Sequence, residues 1–354
     1  MAGLTTLLLL ILLVYLGAFG ALPSYGALKS IRNNTASEVF SADSVLLGKY
    51  YVDNRVNATM AEISPFVTQA LLATEDTRFF EHSGIDFRAW MRVIVKSILL
   101  RDESSGGGST LSQQLAKNLY PRQSHSVLSM PVNKIREMMI ARRLEKLYTK
   151  EELLNLYLNT VPFSENVYGI KVAAQRFFNA SPQFLKPEQA ALLVGMLKGS
   201  TLYNPLRNPE RAQARRNVVL SQMCKYEYLK MSECDSLQQL DLNLDFYREG
   251  SEKGSAAYFR EHLRLELEKL LKNYRKPDGS SYDLLTDGLK IYTTIDSRLQ
   301  RYAEEAVDEH MAELQKEFEE HWKDRKPWGD DKWLLEQTHN TRRYKSMKIG
   351  RAHV

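Results

Sequence analysis

Two adjacent carboxylates, Glu75 and Asp76, are the first residues whose type and setting suggest chemistry. They lie in ATEDTRFFEHSGID, residues 73–86, between an apolar stretch and two phenylalanines. A carboxylic acid beside apolar and aromatic groups resists ionisation, which suits it to proton transfer. The segment therefore predicts a general acid or base. The alternative is that both carboxylates end a helix and pair with Arg78.

A glycine-rich segment follows in SSGGGSTLSQQLAKN, residues 104–118. Its glycines lead into Thr110 and Gln113, whose spacing predicts a capping box at the start of a helix. Free backbone N–H groups at such a start can bind an anion such as phosphate, with Gln114 and Lys117 as further donors. No Gly-Lys-Ser/Thr follows, so this is not a Walker motif. A mobile linker is the alternative.

A basic helix is predicted over residues 133–150, within a stretch (117–150) that holds eight Lys and Arg against two Glu. Pyrophosphate and nucleic acid are both candidate partners for this charge. Glu137 is the one acid on an otherwise apolar face of the helix. Such an acid is neutral, paired with a cation such as Lys134, or bound to a metal ion.

The elements that must position these residues are helices. Helix-start signals are dense between residues 60 and 230, whereas strand signals are scarce. They predict helices that begin at Ser64-Pro65, at Asp86, at Thr149 with Glu152, at Pro187 and at Asn208-Pro209. The sequence therefore predicts a mainly α domain of about 180 residues, large enough for its own core.

The N-terminal segment Leu4–Leu22 is almost wholly apolar and carries no charge. A helix of that length is about 28 Å long, close to the thickness of a bilayer core. We expect a single-pass transmembrane anchor at residues 4–22, with a cleaved signal peptide as the alternative. Either way, the chain after residue 28 is expected outside the cytoplasmic membrane, which argues against nucleic acid as a partner.

Charge is unevenly distributed along the 354 residues. Residues 29–230 carry 27 Lys and Arg against 18 Asp and Glu, whereas residues 231–354 carry 21 against 25. A hydrophobic fraction of 44% excludes wholesale disorder. The two cysteines, Cys224 and Cys234, cannot form a disulfide framework. Whether they pair with each other is left open by the sequence.

Taken in order, these elements resemble the peptidoglycan glycosyltransferases, glycosyltransferase family 51, the N-terminal half of class A penicillin-binding proteins. The resemblance covers residues 45–230 and implies a lysozyme-like helical domain. The strings that carry it are ATEDTRFFEHSGID, GGSTLSQQLAKN, the Lys134-x-x-Glu137 helix with TKEELLNLYLNTV, YGIKVAAQRFFN, and EQAALLVGMLKGSTLYNP with RRNVVLSQM.

The resemblance implies polymerisation of lipid II, a disaccharide-peptide on undecaprenyl pyrophosphate, into glycan strands. It assigns the general base to Glu75 and a second catalytic acid to Glu137, which would assist the pyrophosphate side or hold a divalent ion (Mg²⁺ or Mn²⁺). No organic cofactor is expected. The substrate-binding residues it implies are Asp76, His82, Ser109, Thr110, Gln113, Gln114, Lys117, Asn118, Lys134 and Arg136. Of these, His82 is expected to position the Glu75 loop. Arg122 is a further candidate phosphate ligand, and Asn133 stands where many relatives have arginine.

Residues 231–354 resemble the linker and the start of the transpeptidase domain in the same proteins. Within them, Gly288–Asp296 alternates like a strand, and Asp296 is placed to cap a long charged helix. The sequence contains no S-x-x-K, K-T-G or K-S-G motif. It therefore predicts a truncated bifunctional enzyme without transpeptidase activity in this chain.

The expected partners are lipid II, the growing glycan chain, the membrane, inhibitors of the moenomycin type and other cell-wall synthesis proteins. The expected location is the bacterial inner membrane, with the catalytic domain on the outer or periplasmic side. Two alternatives stay open: a lysozyme-like muramidase, and a non-catalytic, membrane-tethered cell-wall scaffold. A hydrolase, however, needs neither an anchor nor a basic pyrophosphate site.

Overall fold

The computed structural model divides the chain into two compact units. The first comprises Met1–Phe40 and Leu46–Tyr292, and the second comprises Ser41–Val45 and Thr293–Val354. The structure describes residues 2–29, 31, 34–52, 54–94, 108–124, 128–164, 167–246, 255–277, 279–323, 325, 329–341 and 344. Helices dominate these residues, which confirms the mainly α fold class.

The helices of the first unit are α1 (Ala2–Tyr15), α2 (Tyr25–Lys29), α3 (Pro65–Glu75), α4 (Phe87–Ile94), α5 (Leu111–Leu119), α6 (Ser129–Leu147), α7 (Lys150–Thr160), α8 (Ile170–Phe178), α9 (Pro187–Met196), α10 (Pro209–Lys225), α11 (Met231–Gln239) and α12 (Ala257–Leu271). Its strands are β1 (Ser37–Phe40), β2 (Leu46–Tyr50), β3 (Asn54–Arg55), β4 (Val167–Tyr168) and β5 (Lys290–Tyr292). The second unit contains α13 (Ser297–Trp322) and α14 (Asp331–Asn340).

The core of the first unit is built around α9, whose residues 190–196 are all buried. This helix packs against α3 and α10, while α5 packs against α6 and α7. Leu71 of α3, Leu193 of α9 and Leu220 of α10 share one buried cluster. Each such side chain contributes roughly 1.5–3 kcal/mol by leaving water. The packing brings the end of α3 beside α5 and α10.

The predicted helix starts are confirmed. Each was predicted from a capping residue or a proline at the start of the helix, which are signals in the local sequence. The helices α3, α4, α7, α9 and α10 begin directly after Ser64, Asp86, Thr149, Lys186 and Asn208. Thr149 and Glu152 form the predicted capping box. Ser64 differs, since its hydroxyl donates to the Leu185 carbonyl at 2.8 Å instead of capping α3. Any continuation of α4 beyond Ile94, and residues 104–107 of the glycine-rich segment, lie outside the described residues.

Two small sheets complete the first unit. β1 pairs antiparallel with β2 and parallel with β5, giving the order β2-β1-β5, and β3 pairs parallel with β4. β5 lies inside the predicted strand at residues 288–296. Because β5 is needed to complete this sheet, the compact unit extends well past residue 230.

The transmembrane helix predicted at residues 4–22 is not found. α1 ends at Tyr15, and Gly17 and Gly20 follow with φ of +83° and +94°. These left-handed conformations suit glycine and interrupt a right-handed helix. Across the ranges that the structure describes, no helix is both long enough and apolar enough to cross a membrane.

Cys224 and Cys234, left open by the sequence, form a disulfide that joins α10 to α11. In the second unit, Asp296 caps α13 as predicted, accepting from the Arg298 and Leu299 amides. Asp43 accepts from the hydroxyl of Ser297 at 2.6 Å and from its amide at 3.0 Å. Both caps use a carboxylate at the positive end of a helix.

Candidate active site

Glu75 is the last residue of α3, and its carboxylate is held from two sides. The Gln114 side chain donates to Oε2 at 2.8 Å, and the Arg215 guanidinium lies 3.8 Å from Oε1. A carboxylate at this end of a helix faces the negative end of the helix dipole, so the two partners offset an unfavourable position. The side chain remains 17% exposed, which leaves the carboxylate accessible.

Asp76 and His82 join the loop after α3 to the start of α5. His82 Nδ1 accepts from the Gly84 amide at 3.2 Å, so a neutral ring carries its proton on Nε2, 3.0 Å from Asp76 Oδ2. The Leu111 amide donates to the same carboxylate at 3.0 Å. Both side chains are buried. This geometry agrees with a positioning role for His82, while substrate binding by either residue stays a prediction.

Thr110 caps α5, but Gln113 does not complete the predicted capping box. Thr110 Oγ1 accepts from the Gln113 amide at 3.3 Å and donates to the Gly84 carbonyl at 2.7 Å. The Gln113 side chain donates to that same carbonyl at 3.3 Å. Both side chains are buried, so their observed contacts fix the turn at Gly84. Their predicted contact with substrate is not tested by this geometry.

Glu137 is buried on α6 and pairs with two cations, Arg122 and Lys134, while Lys117 lies near Lys134. Arg122 Nε donates to Oε1 at 2.7 Å, and Lys134 Nζ donates to Oε2 at 3.3 Å and to Ser109 Oγ at 2.6 Å. Burial lowers the pKa of Lys134 against the opposing effect of Glu137, and the neighbouring Arg122 and Lys117 lower it further. Of the three states predicted for Glu137, the paired state is found. The cluster keeps a net positive charge that suits an anion.

The residues around Glu137 do not fit a metal centre built from protein ligands. Both carboxylate oxygens already bind Arg122 and Lys134, whereas divalent ions of this class take several oxygen ligands. Within the described part of the chain, no group of three or more His, Cys, Asp or Glu could hold an ion. The divalent ion expected at Glu137 stays a prediction, and no step below uses one.

Arg136 lies apart from the other predicted substrate ligands. Its guanidinium donates to the backbone carbonyls of Phe19, Gly20 and Ala21, in the turn after α1. An anion bound by Arg136 would have to compete with these three bonds. Asn118 is half-buried in the last turn of α5, where its predicted role is untested.

Asn133, which stands where many relatives have arginine, has a clear structural role. Its side chain accepts from the Gln123 amide at 3.1 Å and donates to the Gln123 carbonyl at 2.7 Å. The segment that carries Arg122 is thereby fixed against α6. Arginine, which cannot accept a hydrogen bond, could not make both contacts.

Lys150 was not singled out by the sequence, yet it holds the Glu75 loop. Its Nζ donates to the His82 carbonyl at 2.6 Å and to Glu145 at 2.8 Å, and it lies 4.3 Å from the centroid of the Phe79 ring. A half-buried ammonium with a carboxylate, a carbonyl and a ring face is well satisfied. It fixes the loop to the start of α7.

Tyr157 and Arg215 were also missed as individual residues. The Tyr157 hydroxyl donates to Gln114 Oε1 at 3.0 Å, and Arg215 reaches Glu75 from α10. Both lie in strings that carry the family resemblance, TKEELLNLYLNTV and RRNVVLSQM. That resemblance was the available signal, because neither string shows on its own that its residues meet Glu75.

The sequence profile of one family, described as Transglycosylase, matches residues 43–224. The chain belongs to the transglycosylase family. The match covers Glu75, Glu137 and Arg215, and it confirms the family inferred from the motifs.

Several relatives of this chain are penicillin-binding proteins. Penicillin-binding protein 1A of Escherichia coli (strain K12) is 35% identical over 290 residues, covering 81% of this chain and 32% of that protein. Penicillin-binding protein 1A/1B of Bacillus subtilis (strain 168) is 31% identical over 324 residues, covering 86% of this chain and 33% of that protein. The chain thus spans about a third of these relatives. The crystal structure of penicillin-binding protein 1A from Haemophilus influenzae aligns at 20% identity with a TM-score of 0.40, covering 76% of this chain and 28% of that one, which is too distant to support an argument.

Proposed function

We propose that the transglycosylase domain polymerises lipid II into peptidoglycan glycan strands, with Glu75 as general base. The observation that carries this function is the accessible Glu75 carboxylate, held by Gln114 and Arg215, in the same domain as a cluster of cations around the buried Glu137. A base and an anion site are the two elements that a glycosyl transfer from a pyrophosphate donor needs.

In the proposed reaction, the acceptor 4-hydroxyl gives its proton to Glu75 while its oxygen bonds to the anomeric carbon of the growing chain. The bond from that carbon to the pyrophosphate oxygen breaks, and undecaprenyl pyrophosphate leaves with the electron pair. Inversion requires base and leaving group on opposite faces of the sugar. α5 connects the two places, since Gln114 contacts Glu75 and Ser109, just before the helix, contacts Lys134.

The leaving pyrophosphate would be stabilised by Lys117, Lys134 and Arg122. Positive charge placed in advance at a developing anion lowers the barrier without reorganisation. Glu137 holds Lys134 and Arg122 in place. Its predicted catalytic role is, in this geometry, the orientation of two cations.

Because the proposed substrate is linked to a lipid, we propose that the enzyme acts at the cytoplasmic membrane, on its outer face. The apolar segment at residues 4–22 supports contact with lipid. Three exposed apolar side chains in and after the loop that follows Glu75 also support it: Phe80, Phe87 and Met91. Inhibitors of the moenomycin type, which carry a lipid and a phosphate, would then compete for the same site.

Glu75→Gln tests this function in the full chain, solubilised in detergent and supplied with labelled lipid II. We expect polymer formation to fall by at least about 100-fold, because a general base contributes 10²–10⁴-fold. Glu151→Gln, a change at an exposed carboxylate of α7, serves as the matched control and should retain activity. Full activity of Glu75→Gln would contradict the assignment of the base.

The same assay separates the two alternatives. Cleavage of preformed glycan without polymer formation would indicate a muramidase. Absence of both activities in the unaltered, folded chain would indicate a scaffold.

A further inference from the structure

Gln114 can face Glu75 in two ways. With its NH2 group toward Glu75 it donates to a carboxylate, whereas after a 180° turn its carbonyl oxygen faces Glu75 and can bond only to a protonated carboxyl. The two orientations have almost the same shape. The charged carboxylate favours the NH2 group, and a partner for the amide oxygen on the far side strengthens that orientation.

Tyr157 is that group. Its hydroxyl donates to Gln114 Oε1 at 3.0 Å, and its side chain is almost fully buried in α7. Burial raises the pKa of Tyr157, and the nearby Glu75 charge acts in the same direction. The phenol therefore keeps its proton and remains a donor at neutral pH. In the observed orientation both ends of the amide are paired, since its oxygen accepts from Tyr157 and its NH2 group donates to Glu75, whereas a turned amide would place its oxygen against the carboxylate.

Arg215 acts on the other carboxylate oxygen. It comes from α10, and its side chain is only 13% exposed. The Arg215 side chain passes close to Gly195 of α9, where an added Cβ would lie 3.2 Å from Arg215 Cγ. Glu75 is thus held by α5 on one side and by α10 on the other, with α7 behind α5.

We propose that Tyr157 is a positioning residue for glycosyl transfer, acting on Glu75 through the Gln114 amide. This rests on the proposed function, in which Glu75 is the base. Without the hydroxyl, the amide oxygen of the half-buried Gln114 loses its partner, the amide shifts, and Glu75 loses a donor to its charged form. The groups that face Glu75 are Arg215 from α10, Gln114 from α5 and, behind Gln114, Tyr157 from α7; its neighbour Asp76 is turned toward His82 and Leu111.

Tyr157→Phe in the full chain, assayed with labelled lipid II, is the first test. We expect kcat to fall about tenfold, the effect of one hydrogen bond of roughly 1.4 kcal/mol, with KM unchanged. The acidic limb of the pH–rate profile should move to higher pH, because the charged form of Glu75 is less well supported. Tyr148→Phe is the matched control, since it removes a tyrosine hydroxyl bond of 2.7 Å to the Leu28 carbonyl, outside the active site. It should lower thermal stability to a similar extent and leave kcat and the pH profile unchanged.

A double-mutant cycle identifies the route of the effect. In a Gln114→Met chain the amide is gone, so adding Tyr157→Phe should cause no further loss of kcat. A further tenfold loss in that background, or unchanged kcat and pH profile for Tyr157→Phe alone, would overturn the role of Tyr157. These outcomes are distinct from failure of the proposed function, which would show as full activity of Glu75→Gln.

Discussion

At the scale of single residues, Asp86 combines two roles at the start of α4. Its carboxylate accepts from the Ala89 amide at 3.0 Å and pairs with Arg78 at 2.5 and 2.6 Å. Burial alone would raise the pKa of Asp86, but the Ala89 amide and the Arg78 guanidinium hold it below the usual value of 3.8. The charged form is therefore the one that stabilises the fold.

Asp86→Asn should separate these roles, because asparagine keeps the cap and loses the charge. We expect the free energy of unfolding to fall by about 1–2 kcal/mol near neutral pH. A carboxyl whose pKa is lowered by folding stabilises the protein above its unfolded pKa, and this contribution is lost as the pH falls through the folded value. The free energies of unfolding of the two chains, measured in urea, should therefore become equal below pH 3.8. An equal difference at neutral and acidic pH would show that the ion pair is not the cause.

Lys117 is an exposed cation near Lys134, in the cluster around Glu137. Lys117→Met should lower the rate of polymer formation about 10–100-fold, because a charge at the leaving pyrophosphate is lost. Thermal unfolding should not change, since the side chain is exposed. Lys146→Met is the control, because Lys146 is also an exposed lysine but lies on α6. Equal rates for the two variants would mean that Lys117 does not act on the leaving group.

At this scale, the sequence singled out candidate residues but not the partners that hold them. Glu75 was a candidate base from the sequence alone, but its contact with Gln114 spans 39 positions, and the bond from Tyr157 to Gln114 spans 43. Such contacts depend on how helices pack, which no local pattern encodes. The paired state of Glu137 was one of the three states that the sequence left open, and Lys134 could be named as a partner because it lies one helical turn away.

At the scale of elements, α10 is fixed to α11 by hydrogen bonds and by a disulfide. Arg216 is buried and donates to the carbonyls of Gln238, Leu240 and Asp241 at the end of α11, where cations are favoured. The disulfide between Cys224 and Cys234 ties the same two helices. Arg215, on the adjacent position, is thereby held toward Glu75.

Gly195→Ala tests the contact of α9 with α10. Alanine in a helix interior normally stabilises by about 1 kcal/mol relative to glycine, but here the added Cβ would press on the Arg215 side chain at 3.2 Å. We expect no gain in thermal stability, together with a fall in activity of about tenfold as Arg215 moves from Glu75. Gly26→Ala in α2, where the nearest atom to an added Cβ is at 3.8 Å, is the control and should keep full activity. A stabilised and fully active Gly195→Ala chain would contradict this account.

Element starts were predicted correctly where the signal is a cap, as at Thr149 and Asp86. The extent of α1 was predicted wrongly, because hydropathy counts Gly17 and Gly20 as compatible with an apolar helix. Their positive φ values depend on backbone geometry that composition does not reveal. The short strands β3 and β4 carry too few residues to show a period of two.

At the scale of the whole molecule, the family boundary and the compact unit differ. The family match ends at residue 224, whereas the first unit continues to Tyr292. Val39 of β1 pairs with Ile291 of β5, and the rings of Phe40 and Tyr292 stack at 5.4 Å. The change in charge at residue 230 does not reveal this pairing, because it joins segments about 250 positions apart.

The pairing predicts different stabilities for two shortened chains. A chain ending at residue 292 retains β5 and should unfold cooperatively, like the first unit of the full chain. A chain ending at residue 230 loses β5, which is one of the two strands that pair with β1, the bond that the Leu289 amide donates to Ser37 Oγ, and the Arg260 carbonyl that accepts from Tyr50. It also loses α11, and with it Cys234 of the disulfide and the carbonyls that accept from Arg216. At roughly 1 kcal/mol for each lost hydrogen bond, with the lost disulfide contributing further, its melting temperature should be lower by at least about 10 °C. Tyr50→Phe in the full chain measures the contribution of the Tyr50–Arg260 hydrogen bond alone to this stability. It should lower the melting temperature by about 2–4 °C. Equal melting temperatures for the two shortened chains would mean that residues 231–292 do not stabilise the catalytic domain.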